Sequence, residues 1–327
     1  MRWTVSIGFL LSALFLWLAL RQVNMRDLRV AFASIHYLPL TICATSLAFG
    51  IVLRAIRWRL IAGAPADHHR DFYRATNLGL LTNLLFPGRV GELVRVLSLA
   101  KLTSSTLPRP VASALIDRLV DVFVLLASAF ALFLLLPLDA MLGQWFRYLL
   151  AAGVVSVIAL ALFTKSPAPW EGMLPRVARR LLQRLPLRPD TFLSELRAEC
   201  RRLLRGWLSL EIMLLVVLIF CIDYAAIAAL LRAFSIMLPP EGPLLLWVFL
   251  AAGSALPSAP GYIGVYQVAA VLALSFFLVP PASAVALATV LQLTTLGVAL
   301  LLTGPSMLGL LKQSLVAAKS GGNGRSI

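Results

Sequence analysis

Long apolar runs alternate with short polar segments along this chain. Six runs are uninterrupted, at 3–20, 37–53, 112–136, 147–164, 211–231 and 282–303. A helix rising about 1.5 Å per residue needs about 20 mainly apolar residues to cross a bilayer, so each run predicts one transmembrane helix. The first run follows Arg2, as in a signal peptide. No A-x-A cleavage pattern follows it and Arg21 continues the chain, so it is kept as a span.

Two further apolar stretches are interrupted. Residues 74–100 are broken by Pro87-Gly88 and carry Arg89, Glu92 and Arg95, and 243–279 are broken by Pro257-Ser258-Ala259-Pro260-Gly261. Proline removes a helix donor and glycine permits a sharp reversal, so each stretch predicts two half-helices joined by a turn. The arm before Pro87 reaches only about 20 Å, short of the roughly 30 Å hydrocarbon core. A re-entrant hairpin is the shape expected, more firmly for the first stretch than for the second, whose latter arm (262–279) is long enough to cross. The turns spell the same pattern, Pro87-Gly88-Arg89-Val90-Gly91 and Pro260-Gly261-Tyr262-Ile263-Gly264. Paired glycine- and proline-interrupted segments in two halves of a chain are a sequence pointer to a transporter's binding site. The competing reading is two tight turns between helices that pack through glycine.

Composition agrees with this pattern. The 327 residues are 60% hydrophobic and 13% charged, against about 45–50% and about 25% in soluble domains, which excludes an ordinary soluble enzyme. The expected fold is an all-α polytopic membrane protein with six transmembrane helices and two opposed re-entrant hairpins, compatible with an inverted repeat. Residues 1–311 form the membrane domain, with a basic amphipathic segment at 165–208, and 312–327 form a tail. Lys and Arg number 29 against 14 acids, a net charge of +15. In a membrane protein that excess reports orientation, since basic loops stay inside, and a nucleic-acid partner is not expected. With both broken stretches as hairpins, both termini, 54–74, 101–110 and 165–208 lie inside and carry 21 of the 29 basic residues. Cys43, Cys200 and Cys221 lie far apart and form no CxxC pair, so neither a disulfide framework nor a zinc site is expected. His68-His69 with Asp71 is not expected to hold a metal, and no cofactor is implied.

Ionisable groups at membrane depth cost about 2.5–3.5 kcal/mol each and normally face a cavity or a partner. Arg89, Glu92 and Arg95 follow the first turn at helical spacing. On the next span Asp117 and Asp121 are four apart with Arg118 beside them, and Asp223 lies in the middle of another span. The arginine fork suits phosphate and carboxylate oxygens. Substrate contact by Arg89 and Arg95, supported by Glu92, Asp117 and Asp121, is one reading. Internal neutralisation of the arginines by Asp117 and Asp121 is the other. Asp223 reads either as part of that site or as a satisfied buried carboxyl. Arg54, Arg57, Trp58 and Arg59 follow the second span, where arginine snorkels and tryptophan anchors at the membrane interface. Phe192, Leu196, Cys200, Leu203 and Trp207 recur at helical spacing among Arg197, Arg201, Arg202 and Arg205. That describes an amphipathic helix on an anionic inner leaflet, with a cytosolic protein as the alternative contact.

No G-x-S-x-G, H-E-x-x-H, Walker or dinucleotide motif occurs. The run from Asn83 to Arg95 containing Pro87-Gly88-Arg89-x-Gly91-Glu92-x-x-Arg95, together with Arg54-x-x-Arg57-Trp58, Asp117-Arg118-x-x-Asp121 and Ser258-Ala259-Pro260-Gly261-Tyr262-Ile263-Gly264, resembles the transmembrane domain family of lysylphosphatidylglycerol synthases. This is the flippase-like module of the bacterial multiple peptide resistance factor. The resemblance extends over about residues 5 to 310. It implies a bundle that moves or holds a lipid, such as an aminoacylated or other anionic phospholipid, a hopanoid or a polyprenyl-linked sugar. It maps the family's polar positions onto Arg89, Glu92, Arg95, Arg118 and Asp121. Gln267 stands where many members have glutamate, which puts proton coupling there in question. No transferase domain occurs in the sequence, so synthase activity is not implied. The expectation is a lipid translocase of the bacterial inner membrane, with membrane lipids as partners and a lipid-synthesis enzyme as a candidate partner. A membrane-embedded lipid-modifying enzyme or accessory subunit, and a proton-coupled solute transporter, are the alternatives.

Overall fold

The computed structural model describes residues 2–21, 23–135, 189–203, 206–256 and 259–322, together with Gln144, Tyr148, Ala151, Gly153 and Val155. Among the described residues all regular structure is helical. The helices are α1 (Arg2–Leu20), α2 (Met25–Ala33), α3 (Tyr37–Ile61), α4 (His69–Leu85), α5 (Gly91–Leu102) and α6 (Pro108–Leu135), followed by α7 (Pro189–Leu203), α8 (Gly206–Ala233), α9 (Glu241–Ser254), α10 (Val265–Ser275) and α11 (Pro281–Gly322). Among the described residues, four stretches are long and apolar enough to cross a bilayer: Tyr37–Ile61, Pro108–Leu135, Gly206–Ala233 and Pro281–Gly304. The predicted run at 3–20 is helical as α1. Most of the run at 147–164 and of the basic segment 165–208 lies outside the described residues. Helix α11 passes without a break through the tail boundary expected at 311.

Helices α3 and α8 lie antiparallel. The His36 N–H at the start of α3 donates to Ala233 O at the end of α8 (2.8 Å), while Leu60 and Ile61 at the other end of α3 pack with Ile212. The main core joins α3, α6, α8, α9, α10 and α11, and it is rich in alanine (Ala269, Ala270, Ala273, Ala284, Ala286 and Ala288). Small side chains let helix backbones approach closely where lipid supplies no hydrophobic drive for association.

Both interrupted stretches fold back on themselves. In the first, a Cβ on Gly91 would overlap the Gly79 carbonyl oxygen, and one on Gly79 would lie 2.8 Å from Arg95 Cβ, so α4 and α5 cross at paired glycines. In the second, Gly253 of α9 faces Val265 and Ala269 of α10. The two turns meet: a Cβ on Gly261 would lie 3.5 Å from Leu84 O at the end of α4, and Tyr262 packs with Leu81, Leu84 and Ala299.

One expectation is corrected here. The second span does not end at Leu53, because α3 continues two more turns to Ile61 as its arginines find carboxylates inside the bundle. The apolar stripe around Cys200 is turned toward the helix bundle. Leu196, Cys200 and Leu203 pack against Leu60, Ile61, Ile116 and Ile212, and the helix breaks before Gly206, whose φ is 61°.

Candidate functional site

The charged residues singled out by the sequence gather around α3, α5 and α6. Asp117, 2% exposed, accepts from Arg57 Nε (2.9 Å) through one oxygen and from Arg95 Nη2 through the other. Arg57 also donates to Asp121 (2.6 Å). Arg118 spans Glu92 (2.6 Å) and Asp121 (3.1 Å), and Glu92 lies 3.9 Å from Arg95. Three guanidiniums and three carboxylates thus form one neutral network. Its inner members, Arg57, Arg95 and Asp117, are at most 5% exposed, while Glu92, Asp121 and Arg118 are 33–47% exposed. The Trp58 ring lies 3.9 Å from the Arg95 guanidinium carbon, and its Nε1–H donates to Ser113 Oγ (3.1 Å).

This geometry corrects the interface assignment of Arg57 and Trp58. Both are buried, at 1% and 0% exposure. Their helix is followed by a polar loop, so sequence order alone resembles an interface; the distant carboxylates of α6 draw Arg57 inward instead. For Arg95, internal neutralisation is the arrangement found. A buried guanidinium held by a buried carboxylate is not available to a ligand without breaking that pair, and leaving one partner unpaired costs about 3–5 kcal/mol.

Arg89 differs. It occupies the tip of the first turn at φ 58°, after Gly88 at φ 79°. It is exposed, and it makes no ion pair among the described residues. The turn is closed around it by Gly91 N–H donating to Asn83 Oδ1 (2.8 Å) and Glu92 N–H donating to Arg89 O (3.2 Å). Arg89 lies within electrostatic reach of Tyr266. Tyr266 stacks on Tyr262 with ring centroids 5.1 Å apart and planes 10° from parallel.

The second turn is held by uncharged groups. Gln267, 4% exposed, accepts from Gly264 N–H (2.8 Å) and donates to Gln292 Oε1 (2.7 Å), whose own amide donates to Gly261 O (2.8 Å). Ser12 of α1 accepts from Ala259 N–H (2.7 Å). At Gly264, φ is 85° and a Cβ would overlap Ser12 O. Gln267 is therefore a clamp that ties the turn to α11, and its amide is satisfied without a ligand. Asp223 pairs with Arg54 across α3 and α8, in space left by Gly50, and Asp223 also lies within electrostatic reach of Tyr266. Arg59 stays near the loop, donating to Ala64 O (2.9 Å).

The structure thus brings Glu92, Arg95, Asp117, Arg118 and Asp121 together, and adds Arg57, which the sequence placed elsewhere. Pro87, Gly88 and Gly91 form one turn, and Pro260, Gly261 and Gly264 the other. Asn83, Gln292 and Ser12, which close the turns, were missed. The sequence signal for Asn83 is Gly79-x-x-x-Asn83, one face of α4 opposite Gly91. Ser12 and Gln292 stand in apolar runs with no local signal. Searches of curated proteins and of solved structures each return no match. The family model for the lysylphosphatidylglycerol synthase TM region matches residues 5–303, and the chain belongs to that family.

Proposed function

We propose that this protein translocates a lipid across the bacterial inner membrane, and that Arg89 contacts an anionic or modified head group while the acyl chains stay in lipid. The observation that carries the reading is the meeting of two helical turns with one exposed, unpaired guanidinium at their junction. Tyr266, stacked on Tyr262, lies within electrostatic reach of both Arg89 and Asp223. In this reading the helix pairs α4/α5 and α9/α10 are re-entrant hairpins entering from opposite faces, alongside six spans, with both termini in the cytoplasm according to the placement of basic loops. Helix α4 has 17 residues and α5 has 12, about 26 and 18 Å long at 1.5 Å per residue, and neither length alone crosses the core. The neutral network around Asp117 acts as the fixed support of the first hairpin. Arg118, Glu92 and Asp121, on its more exposed side, are positioned to steer a head group toward Arg89.

The test is reconstitution in vesicles with fluorescent phospholipids of differing head group, following loss of outer-leaflet signal on quenching. Arg89→Ala is expected to abolish head-group movement while leaving thermal unfolding unchanged. Unchanged transport in a folded Arg89→Ala protein would overturn the assignment. Lipid mass spectrometry of the purified protein identifies the substrate class.

A further inference from the structure

Beyond the junction of the two turns, α4 and α11 run side by side. Gln292 of α11 donates to Gly261 O (2.8 Å), and Leu84 O lies 3.5 Å from where a Cβ on Gly261 would stand, so the end of α4 sits beside Gln292. From there α11 runs back along α4: Leu81 and Leu84 form one buried cluster with Ala299, joined by Leu80 and Leu296. The face of α11 that carries Gln292, Leu296 and Ala299 thus meets the face of α4 that carries Leu84 and Leu81, with the two helices antiparallel. At helical spacing, Thr303 continues the first face and Asn77 continues the second.

Both of these polar residues are 1% exposed, and neither is satisfied. Asn77 Oδ1, Asn77 Nδ2 and Thr303 Oγ1 are buried with no hydrogen-bond partner among the described residues, as is Thr76 Oγ1 beside them on α4. Native structures pair the great majority of such groups. A helical threonine can satisfy its hydroxyl on the carbonyl four residues back, and Thr82 of α4 and Thr289 and Thr295 of α11 do so. Thr303 does not. Cα–Cβ bonds tilt toward the N-terminus of their own helix, so across an antiparallel pair Asn77 and Thr303 lean toward one another without bonding. An amide supplies two donors and an acceptor, and a hydroxyl supplies one donor and two acceptors. Neither carries charge. The set is matched by the ester carbonyls and glycerol oxygens of a lipid, whereas the phosphate beside them calls for a guanidinium.

We propose that the α4–α11 seam is a second station on the lipid's route, where Asn77 and Thr303 bond the neutral glycerol and ester region once the two helices part. The inference rests on the lipid-translocation reading and deepens it: Arg89 meets the charged head group at the turns, and the seam receives the uncharged neck of the lipid on the His69 side of them. Asn77 lies about two turns, or about 10 Å, before Leu84, so the two contacts are made in succession. While the seam is closed, its polar atoms are unpaired and only Leu81, Leu84, Leu296 and Ala299 hold it by apolar packing. Parting the helices gives those atoms partners, which lowers the cost of opening at this place.

The experiment places Asn77→Cys and Thr303→Cys singly in the full chain carrying Cys43→Ala, Cys200→Ala and Cys221→Ala, reconstituted in vesicles containing phosphatidylglycerol. A charged methanethiosulfonate, which reacts only where water reaches, is added to both faces. Both cysteines are expected to react at least about tenfold faster than Ala75→Cys, a position 0% exposed in the cluster around Trp58 and Phe72. Rates equal to that of Ala75→Cys overturn the proposal. Asn77→Leu, which removes the unpaired amide, is expected to slow movement of fluorescent phospholipid about tenfold, the loss of about one hydrogen bond. Its thermal midpoint is expected to hold or to rise by about 2–4 °C. A fallen midpoint would mark the amide as a structural partner, and unslowed movement would remove it from the route; either result overturns the proposal. Thr303→Val keeps the side-chain volume, is read in the same way and decides the matter if Asn77→Leu does not fold. Labelling needs no lipid movement, so the two readings fail separately. A wild-type protein that moves no lipid overturns the translocation reading and this station with it, whereas slow labelling in a protein that does move lipid overturns the station alone.

Discussion

The two turns share the spelling P-G-x-x-G and are held by different physics. The first is anchored from below by ions: α5 is fixed to α6 and α3 through Arg95, Glu92, Asp117 and Arg118, while its tip at Gly88 has nothing within contact distance. The second is anchored at the tip itself by amides and backbone contact, with Gln267 and Gln292 bridging it to α11 and Gly264 pressed onto α1. A charged anchor set back from an open tip leaves Arg89 exposed. A neutral anchor at the tip engages the backbone of Ala259, Gly261 and Gly264. The same turn motif therefore presents an exposed charge in one half and a packed, hydrogen-bonded turn in the other, and the partners rather than the motif set the difference.

The sharpest break in this comparison is Asp117→Ala. It removes the acceptor shared by two buried arginines, and a loss of about 3–5 kcal/mol is expected from stranding a buried charge. Thermal unfolding in detergent should drop far more than for Arg89→Ala, and equal shifts for the two would contradict the division between anchor and tip. Next come the glycines. Gly264→Ala combines a left-handed φ with overlap on the α1 backbone, and should destabilise by about 2–4 kcal/mol. Gly88→Ala meets only the conformational term, about 1–2 kcal/mol. Denaturation midpoints for the pair measure how much of the second turn's order comes from α1. The smallest effect is expected for Arg118→Gln. This arginine is 47% exposed, and an exposed pair contributes about 0–1 kcal/mol, so stability should hardly change while the inner half of the network persists. A collapse on this substitution would mean that the network acts as one unit.

Much of the fold was legible along the chain, for identifiable reasons. Spans over 112–136, 211–231 and 282–303 are continuous apolar runs, and the structure moves their ends by only a few residues. The breaks at Pro87-Gly88 and Pro260-Gly261 follow from what proline and glycine do to a helix backbone, and both stretches do fold back. The charged positions were legible as a set, since Glu92, Arg95, Asp117, Arg118 and Asp121 are conspicuous among apolar neighbours. Their pairing was not. Arg57 looked like a boundary residue because a polar loop follows it, and its partners lie 60 and 64 positions away. Gln267 drew attention because the resemblance puts a glutamate at that position, and its amide is engaged by Gly264, Gln292 and Thr289. Asp223 gave no hint of Arg54, which is 169 positions distant.

The sequence by itself determined that this is a helical membrane protein, where its main apolar helices run, where two of its segments reverse, and which few charges lie among the apolar runs. Those properties depend on hydrophobic length, on backbone chemistry and on the cost of burying charge, all local to a residue or a window. Only the tertiary structure decided which arginine is neutralised and which is left exposed, because an ion pair is set by which helices touch. Arg95 and Arg89 are six residues apart on one hairpin, yet one faces the carboxylates of α6 and the other sits at a turn beyond their reach.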